Sequence, residues 1–186
     1  MEIVKTESDF FTNIERAFSD IDNKYNQYPG YVICGSHDPE DVDRKMALIK
    51  YAREKDIPCF GVCMGMQLMV IEYARNVLGL KDANSIEIDP LTPNPVIVKL
   101  PELRVGIHQV ESNWESHWNH YSFNEKYRPL FEKDWSMHFE NGILEIMRYR
   151  HHPFFIGVQY HPEYREKHPL LSDFLKVCKS EINAKR

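Results

Sequence analysis

Residues 57–67 read IPCFGVCMGMQ, and this stretch decides the fold. Residues 59–62 are a short apolar run typical of a buried parallel strand, and a helical pattern begins directly after Cys63. Gly61 and Gly65 stand two residues before and two residues after the cysteine. A strand that turns into a helix within one residue leaves no room for neighbouring side chains, which explains glycine at both positions. The pattern therefore predicts a nucleophile elbow with Cys63 at its apex.

The predicted elbow gives the Cys63 thiol a chemical role. The carboxyl ends of parallel strands are where α/β sheets bind ligands. The thiol would also face the N-terminus of the new helix, whose partial positive charge favours the thiolate. The backbone N–H of Met64 is predicted to be one donor to an oxyanion formed by attack of that thiolate.

A base for the thiol is predicted near the end of the chain. Residues 154–160 indicate a last strand, and it runs directly into His161, Pro162 and Glu163. On extended backbone, residues two apart point the same way, so Glu163 can stand behind His161 and fix its tautomer. Pro162 favours extended backbone at His161. The sequence thus predicts a catalytic triad of Cys63, His161 and Glu163.

The segments around the elbow predict a layered α/β fold. Strands are expected at residues 2–4, 31–34, 59–62 and 154–160, and helices at residues 9–18, 43–54, 64–78 and 170–182. Short strand–helix alternation implies right-handed crossovers, and hence a central, mostly parallel sheet flanked by helices. Residues 140–142, Glu-Asn-Gly, predict a type I′ hairpin, and the proline-rich residues 89–101 predict an extended excursion. No domain boundary is evident, so residues 1–186 are predicted to be a single domain.

Composition excludes several classes of protein. Of the 186 residues, 42% are hydrophobic and 27% are charged, which is unlike a collagen-like or disordered chain. The longest apolar stretches are far shorter than the roughly 18 residues of a membrane span. The net charge of -5 disfavours nucleic acid or an anionic membrane as a partner. With no secretory signal at the start, we expect a cytoplasmic protein with reduced thiols, in which Cys34, Cys59 and Cys178 belong to the core.

Neither a metal nor another cofactor is expected. The nine histidines show no metal-ligand spacing, and no phosphate-binding G-x-x-x-x-G-K-[ST] loop occurs. An aromatic group in the second half of the chain predicts a loop packed on the core, with an aromatic substrate wall as the alternative. Its members are Trp114, Trp118, Tyr121 and Phe123.

Two motifs together resemble a known family. Residues 61–67, GVCMGMQ, with His-Pro-Glu at 161–163, are similar to the class I (triad) glutamine amidotransferases. Within that family, residues 61–90 and 152–163 look most like the glutaminase domain of CTP synthase.

The resemblance implies hydrolysis of glutamine through a γ-glutamyl thioester on Cys63, with release of ammonia to an acceptor. It implies that His161 acts as base and acid and that Glu163 orients it. The positions that hold the substrate in the family match Gln67 and Glu87. A carboxylate such as Glu87 can take the α-ammonium of an amino-acid substrate by a charge-assisted hydrogen bond.

The stretch that matches the family's oxyanion loop departs from its pattern. The family reads Pro-Gly-Gly-Phe-Gly, whereas residues 34–38 read CGSHD. Gly35 is kept, and the resemblance implies the Ser36 N–H as the second oxyanion donor. If that position needs a positive φ, Ser36 would be strained or would lose its donor geometry. His37 in the same loop fits substrate contact and neutral drift equally well.

The family's Arg-His-Arg-Tyr-Glu block reads WNHYS at residues 118–122. Tyr121 is kept, but His120 stands where the family's second arginine meets the substrate α-carboxylate. An imidazole does not replace a guanidinium fork. The resemblance therefore leaves open a γ-glutamyl or amide substrate other than free glutamine.

The chain is also short at its start and lacks the family's synthetase region, which implies a shortened standalone glutaminase domain. Ammonia would then pass to an acceptor on another polypeptide. A separate synthetase subunit is the expected partner, and a homodimer that replaces the missing N-terminal unit is the alternative. A non-catalytic or altered-specificity binding or regulatory relative is the alternative function, motivated by Ser36 and His120.

Overall fold

The computed structural model describes residues 1–4, 9–36 and 41–184. Its strands are β1 (Glu2–Val4), β2 (Tyr31–Ile33), β3 (Cys59–Val62), β4 (Ala83–Ser85), β5 (Asn94–Val110), β6 (Asn113–Phe123), β7 (Trp135–Glu140), β8 (Ile143–Tyr149) and β9 (Phe155–Val158). Its helices are α1 (Asp9–Ile21), α2 (Val42–Glu54), α3 (Met64–Asn76), α4 (Arg128–Phe131) and α5 (Pro169–Ala184).

The order of strands in the main sheet brings the two predicted catalytic segments together. This sheet runs β1-β2-β3-β9-β8-β7, with the first four strands parallel and the last two antiparallel. Strands β3 and β9 are neighbours, with Gly61 paired to Gly157 and Val62 to Val158. Because both strands point the same way, their carboxyl ends meet at one edge, and the residues that follow each strand lie side by side.

Helices cover both faces of the main sheet, as the alternating pattern predicts. Helix α3 packs deep in one layer, where Met66 and Leu68 are fully buried. On the other face, Phe18 of α1 and Phe174 of α5 stack with ring centroids 5.9 Å apart. The mixed α/β fold with a central sheet flanked by helices is confirmed.

Local sequence signals located most elements of the main sheet. Strand 59–62 is confirmed, and the hairpin at Asn141-Gly142 has the two positive φ angles, 50° and 77°, of a type I′ turn. Helix α3 ends at Asn76, earlier than the predicted end at residue 78, and the last strand is shorter than residues 154–160.

A second sheet, with strand order β4-β5-β6, was not predicted from the sequence. The extended excursion expected at residues 89–101 is in part the start of β5, a 17-residue strand that pairs with β6 along most of its length. The aromatic residues assigned to a loop lie on β6, so the loop prediction is wrong. Trp114 and Trp118 are exposed there, whereas Phe123 is buried in the core.

Strand β6 was missed because its polarity is inverted. Its buried side chains at alternate positions are Glu115, His117 and Asn119, while Trp114 and Trp118 on the opposite face point outward. Sequence periodicity identifies strands by apolar residues on the buried face, and that signal is absent from this part of β6. Within the described residues, no helix is both long and apolar enough to cross a membrane.

Candidate active site

Cys63 lies at the sharp turn between β3 and α3, with φ 51° and ψ -109°. A non-glycine residue rarely adopts a positive φ, and strain of this kind is concentrated at functional sites. The flanking glycines permit the turn. A Cβ on Gly65 would lie 2.0 Å from the carbonyl oxygen of Ile33, and a Cβ on Gly61 would lie 2.8 Å from the carbonyl carbon of Gly65.

The Cys63 thiol is almost enclosed, with 7% of the residue exposed. Cys63 occupies the N-cap position of the 13-residue helix α3, so its sulfur lies at the positive end of the helix dipole. Its Sγ lies 3.7 Å from the carbonyl oxygen of Trp118 and 3.5 Å from Nε2 of Gln159. The sulfur is therefore held between the main sheet and β6.

His161 and Glu163 follow β9 and form a buried pair. His161 Nδ1 and Glu163 Oε1 are 2.8 Å apart, and both side chains are 1% exposed. The His161 backbone N–H donates to the carbonyl oxygen of Ser116 at 2.8 Å, which fixes this segment to β6. Burial lowers the pKa of His161, but hydrogen bonds with Cys63 and Glu163 outweigh burial and raise it to about 10. The arrangement therefore favours an imidazolium beside the sulfur.

The loop after β2 lies against this pair. A Cβ on Gly35 would lie 3.1 Å from Cε1 of His161 and 3.2 Å from Cβ of Cys63, so glycine fits this close approach. Ser36 has no positive φ, and the strain considered for it does not arise. Met64 is the first residue of α3, so its N–H has no partner within the helix's own hydrogen-bond ladder. His37 lies outside the described residues.

A cavity of about 110 Å³ opens beside the sulfur. It is lined by Ser36, Cys63, Met64, Gln67, Glu87, Leu103, Trp118, Asn119, His120 and Tyr121. Apart from Gly35, every residue predicted from the sequence to contact the substrate or the oxyanion lines this one cavity. Glu87 supplies a carboxylate to its wall and His120 supplies an imidazole.

The amide nitrogen of Gln67 is already hydrogen-bonded within the protein. Its Nε2 donates to the carbonyl oxygen of Tyr121 at 3.0 Å and to Oε1 of Gln159 at 3.3 Å. These bonds hold β6 against α3 and leave the Gln67 carbonyl oxygen as the group that can accept from a ligand. The structure thus gives Gln67 a role in shaping the wall of the cavity as well as lining it.

Gln159 is the residue that sequence reasoning missed. It is fully buried, its Nε2 lies near the Cys63 sulfur, and its Oε1 accepts from Gln67. Gln159 precedes His161 by two residues and directly follows β9, so strand alternation could have identified it. The same alternation does not explain Glu163, because Pro162–Tyr164 form a short 3₁₀ helix where the sequence predicts extended backbone. Its amide links the sulfur to the cavity wall.

Buried carboxylates and their partners fix β6 next to the site. Glu145 of β8 is fully buried, pairs with Arg104 of β5, and accepts from Nε2 of His117 at 2.9 Å. Glu115 likewise pairs with Arg165 at 3.0 Å and with His168 at 3.2 Å. Because breaking one partner of a buried pair leaves an uncompensated charge, these contacts fix the position of β6.

The other cysteines are surrounded differently. Cys34, Cys59 and Cys178 are free, buried thiols, as the sequence predicts. Burial raises the pKa of Cys34 and of Cys59, and it raises the pKa of Cys178 to about 12. These three therefore stay protonated at neutral pH. Among the described residues, no group of three or more His, Cys, Asp or Glu side chains could hold a metal ion.

Comparisons with known proteins agree with this geometry. The sequence pattern of the family described as glutamine amidotransferase class-I matches residues 3–176. The CTP synthase of Aquifex aeolicus is 35% identical over 191 residues, covering 86% of this chain and 36% of that protein. The CTP synthase of Synechocystis is 37% identical over 187 residues, covering 83% and 34%.

The fold agrees as well. The glutaminase domain of the Trypanosoma brucei CTP synthase, solved with bound acivicin, superposes with a TM-score of 0.83 at 21% identity, covering 96% of this chain and 92% of that one. The chain belongs to the class I glutamine amidotransferase family. Within it, the chain is a homologue of the CTP synthase glutaminase domain and spans about a third of the length of the curated relatives that it matches.

Proposed function

We propose that this chain is a cysteine-dependent amide hydrolase that acts on glutamine or a γ-glutamyl compound through a thioester on Cys63. The observation that carries the proposal is the strained elbow at Cys63 with the buried His161–Glu163 pair beside it. We propose that residues 1–186 act as one domain. A cytoplasmic location belongs to the same proposal, since Cys34, Cys59, Cys63 and Cys178 are free thiols and a reducing compartment keeps thiols unpaired.

In the resting site His161 already holds the proton of the Cys63 thiol, and in the first step the Cys63 thiolate attacks the γ-carbonyl carbon. The electron pair of the carbonyl moves to its oxygen, and the backbone N–H groups of Met64 and Ser36 donate to that oxyanion. When the carbonyl re-forms, the C–N bond breaks and the leaving amine takes the proton from His161. Glu163 stabilises the imidazolium and keeps its ring oriented.

In the second step, His161 takes a proton from water as the water oxygen attacks the thioester. The C–S bond breaks, the γ-carboxyl group is released, and the Cys63 thiolate beside the His161 imidazolium is restored. Both steps use the same short proton path between the two side chains, which the near-complete burial of His161 protects from bulk water.

The walls of the cavity suit an amino-acid substrate. Glu87 takes the α-ammonium group by a charge-assisted bond, and the Gln67 carbonyl oxygen and Tyr121 help to position the chain. His120 faces the same space and meets the α-carboxyl end. Gly35 lets the loop after β2 approach the sulfur closely enough for Ser36 to reach the oxyanion.

A release assay tests this function. Purified protein is incubated with glutamine and with a panel of γ-glutamyl amides, and glutamate is measured. We expect turnover of at least one substrate, loss of turnover in Cys63→Ala, and retention in Cys178→Ala, which makes the same substitution at a buried cysteine outside the cavity. No glutamate from any of these compounds would refute the proposal and favour a non-catalytic binding or regulatory relative.

A second candidate is ammonia delivery to a synthetase, either another subunit or a further domain. The observation that favours it is that the chain spans about a third of the length of CTP synthases to which it is similar. Glutamine hydrolysis would then rise sharply once the synthetase is added. If a synthetase binds the chain without changing the rate of glutamine hydrolysis, this role is contradicted. The alternative partner is a second copy of the chain, and light scattering would detect that homodimer.

A further inference from the structure

A second cavity lies beside the first, on the histidine side of the reacting centre. Its volume is about 340 Å³, and His161 forms part of its wall. Trp118 lines both cavities, and its carbonyl oxygen lies 3.7 Å from the Cys63 sulfur. The sulfur thus borders the smaller cavity and the imidazole borders the larger one, with one residue of β6 shared between them.

The chemistry of amide cleavage gives the two sides different occupants. The acyl part of the substrate stays with Cys63 as the thioester. The leaving nitrogen takes its proton from His161, so it departs on the side where the imidazole lies. A substituent on that nitrogen would extend towards the cavity that His161 borders.

The walls of this second cavity are mainly apolar. Val105, Ile107, Trp118 and Tyr164 are each about half exposed, and Ile107 is 60% exposed. Ammonia gains nothing from such walls, whereas an alkyl or aryl group gains by leaving water. Exposed apolar side chains gathered around a reacting centre mark a ligand groove or a docking site.

We propose that the preferred substrates are γ-glutamyl amides that carry an apolar substituent on the amide nitrogen. This inference rests on the proposed hydrolase function and names its substrate class. The γ-carbonyl carbon bonds to the Cys63 sulfur, the C–N bond breaks, and the nitrogen leaves as a neutral primary amine with the proton from His161. Water then cleaves the thioester, so the products are glutamate and the free amine.

A homologous series of substrates tests the proposal. Glutamate release is measured for glutamine and for γ-glutamyl ethyl-, butyl- and hexylamide, whose leaving amines have similar basicity, so that differences report binding of the alkyl chain. We expect kcat/KM to rise about tenfold from the ethyl to the hexyl compound. Half-exposed walls capture only part of the free energy of burying four methylenes.

Two isomeric apolar side chains provide matched variants. Ile107→Ser removes part of the cavity wall and is expected to lower the ratio of hexylamide to glutamine turnover several-fold. Leu91→Ser makes the equivalent change at a residue that is 90% exposed and outside both cavities, and it should leave the ratio unchanged.

The outcomes separate this inference from the proposed function. Suppose that glutamine is hydrolysed, but that kcat/KM falls from the ethyl to the hexyl compound and Ile107→Ser does not change it. This result would overturn the substrate class and leave the hydrolase proposal standing. Failure to cleave any compound, glutamine included, would overturn the hydrolase itself and the inference with it.

Discussion

Replacing Gly65 with alanine tests whether close packing fixes the elbow. The added Cβ would lie 2.0 Å from the carbonyl oxygen of Ile33 and 2.9 Å from its carbonyl carbon. Real Cβ contacts stay above about 3.0 Å, so β2 and the start of α3 would have to separate by about 1 Å. Both obstructing atoms belong to the backbone of a central strand, and no rotamer change relieves the clash.

The cost follows from that displacement. Overpacking a well-packed site costs roughly 1–3 kcal/mol, and a backbone clash places Gly65→Ala near the upper end. For a chain of this size, about 3 kcal/mol lowers Tm by about 6–12 °C. A displacement of about 1 Å at the nucleophile lowers the hydrolysis rate by about 100-fold.

Thermal unfolding and glutamate release measure the two effects. Gly79→Ala is the control, because its Cβ meets nothing within 4 Å and only its φ of +73° is unfavourable. We expect Gly79→Ala to lower the free energy of unfolding by about 1 kcal/mol and to leave the rate of glutamate release unchanged. If Gly65→Ala has the same Tm and the same rate of glutamate release as the wild type, then close approach to Ile33 does not set the geometry of Cys63.

Three further substitutions give distinct results. Because the pKa of His161 is raised from 6.5 to about 10, its protonation stabilises the fold below pH 6.5, and this contribution is lost as the pH rises through 10. Glu163→Gln should therefore lower the free energy of unfolding, measured by urea titration, by about 2 kcal/mol near pH 6 and by much less at pH 10. An equal decrease at both pH values would contradict the raised pKa of His161. Gln159→Leu removes a donor to the sulfur and should slow alkylation of Cys63 by iodoacetamide at neutral pH about tenfold; an unchanged rate would exclude that contact. Phe131→Ala empties a fully buried site between two core aromatic rings and should lower Tm by about 10 °C, and a shift below 3 °C would mean that α4 is not packed as described.

The elbow and the segment after β9 could be predicted because their signals are local. Two glycines around a cysteine specify a turn. The extended backbone expected between His161 and Glu163 is wrong, but the 3₁₀ turn at Pro162–Tyr164 still brings the Glu163 carboxylate to the His161 ring. The parallel neighbours β3 and β9 then bring the two segments together, and this strand order is a finding of the structure that the α/β pattern alone does not imply. Strand alternation counted back from His161 would have added Gln159.

Strand β6 could not be predicted, since its stability comes from contacts distant in sequence. Glu115 and His117 are buried because residues 28 to 53 positions away supply their hydrogen-bond partners. No window of sequence contains both members of such a pair. The second cavity could not be predicted either, because its walls come from three segments that are distant in sequence: β5, β6 and the segment after β9.

The substrate contacts predicted from the resemblance lie between these extremes. The resemblance to the family identified Gln67, Glu87 and Tyr121, and all three line one cavity. The sequence did not indicate that the Gln67 amide binds the Tyr121 carbonyl, because that bond depends on how β6 packs on α3. His120 lines the cavity too, but its effect on specificity depends on the substrate that is bound.

The covalent intermediate on Cys63 is the central claim, and intact-protein and peptide mass spectrometry test it directly. The protein is treated with a glutamine-analogue electrophile, digested and mapped. The account predicts a single adduct on the peptide that contains Cys63 and no adduct in Cys63→Ala. Adducts on Cys34, Cys59 or Cys178 with none on Cys63, or no adduct at all, would contradict it.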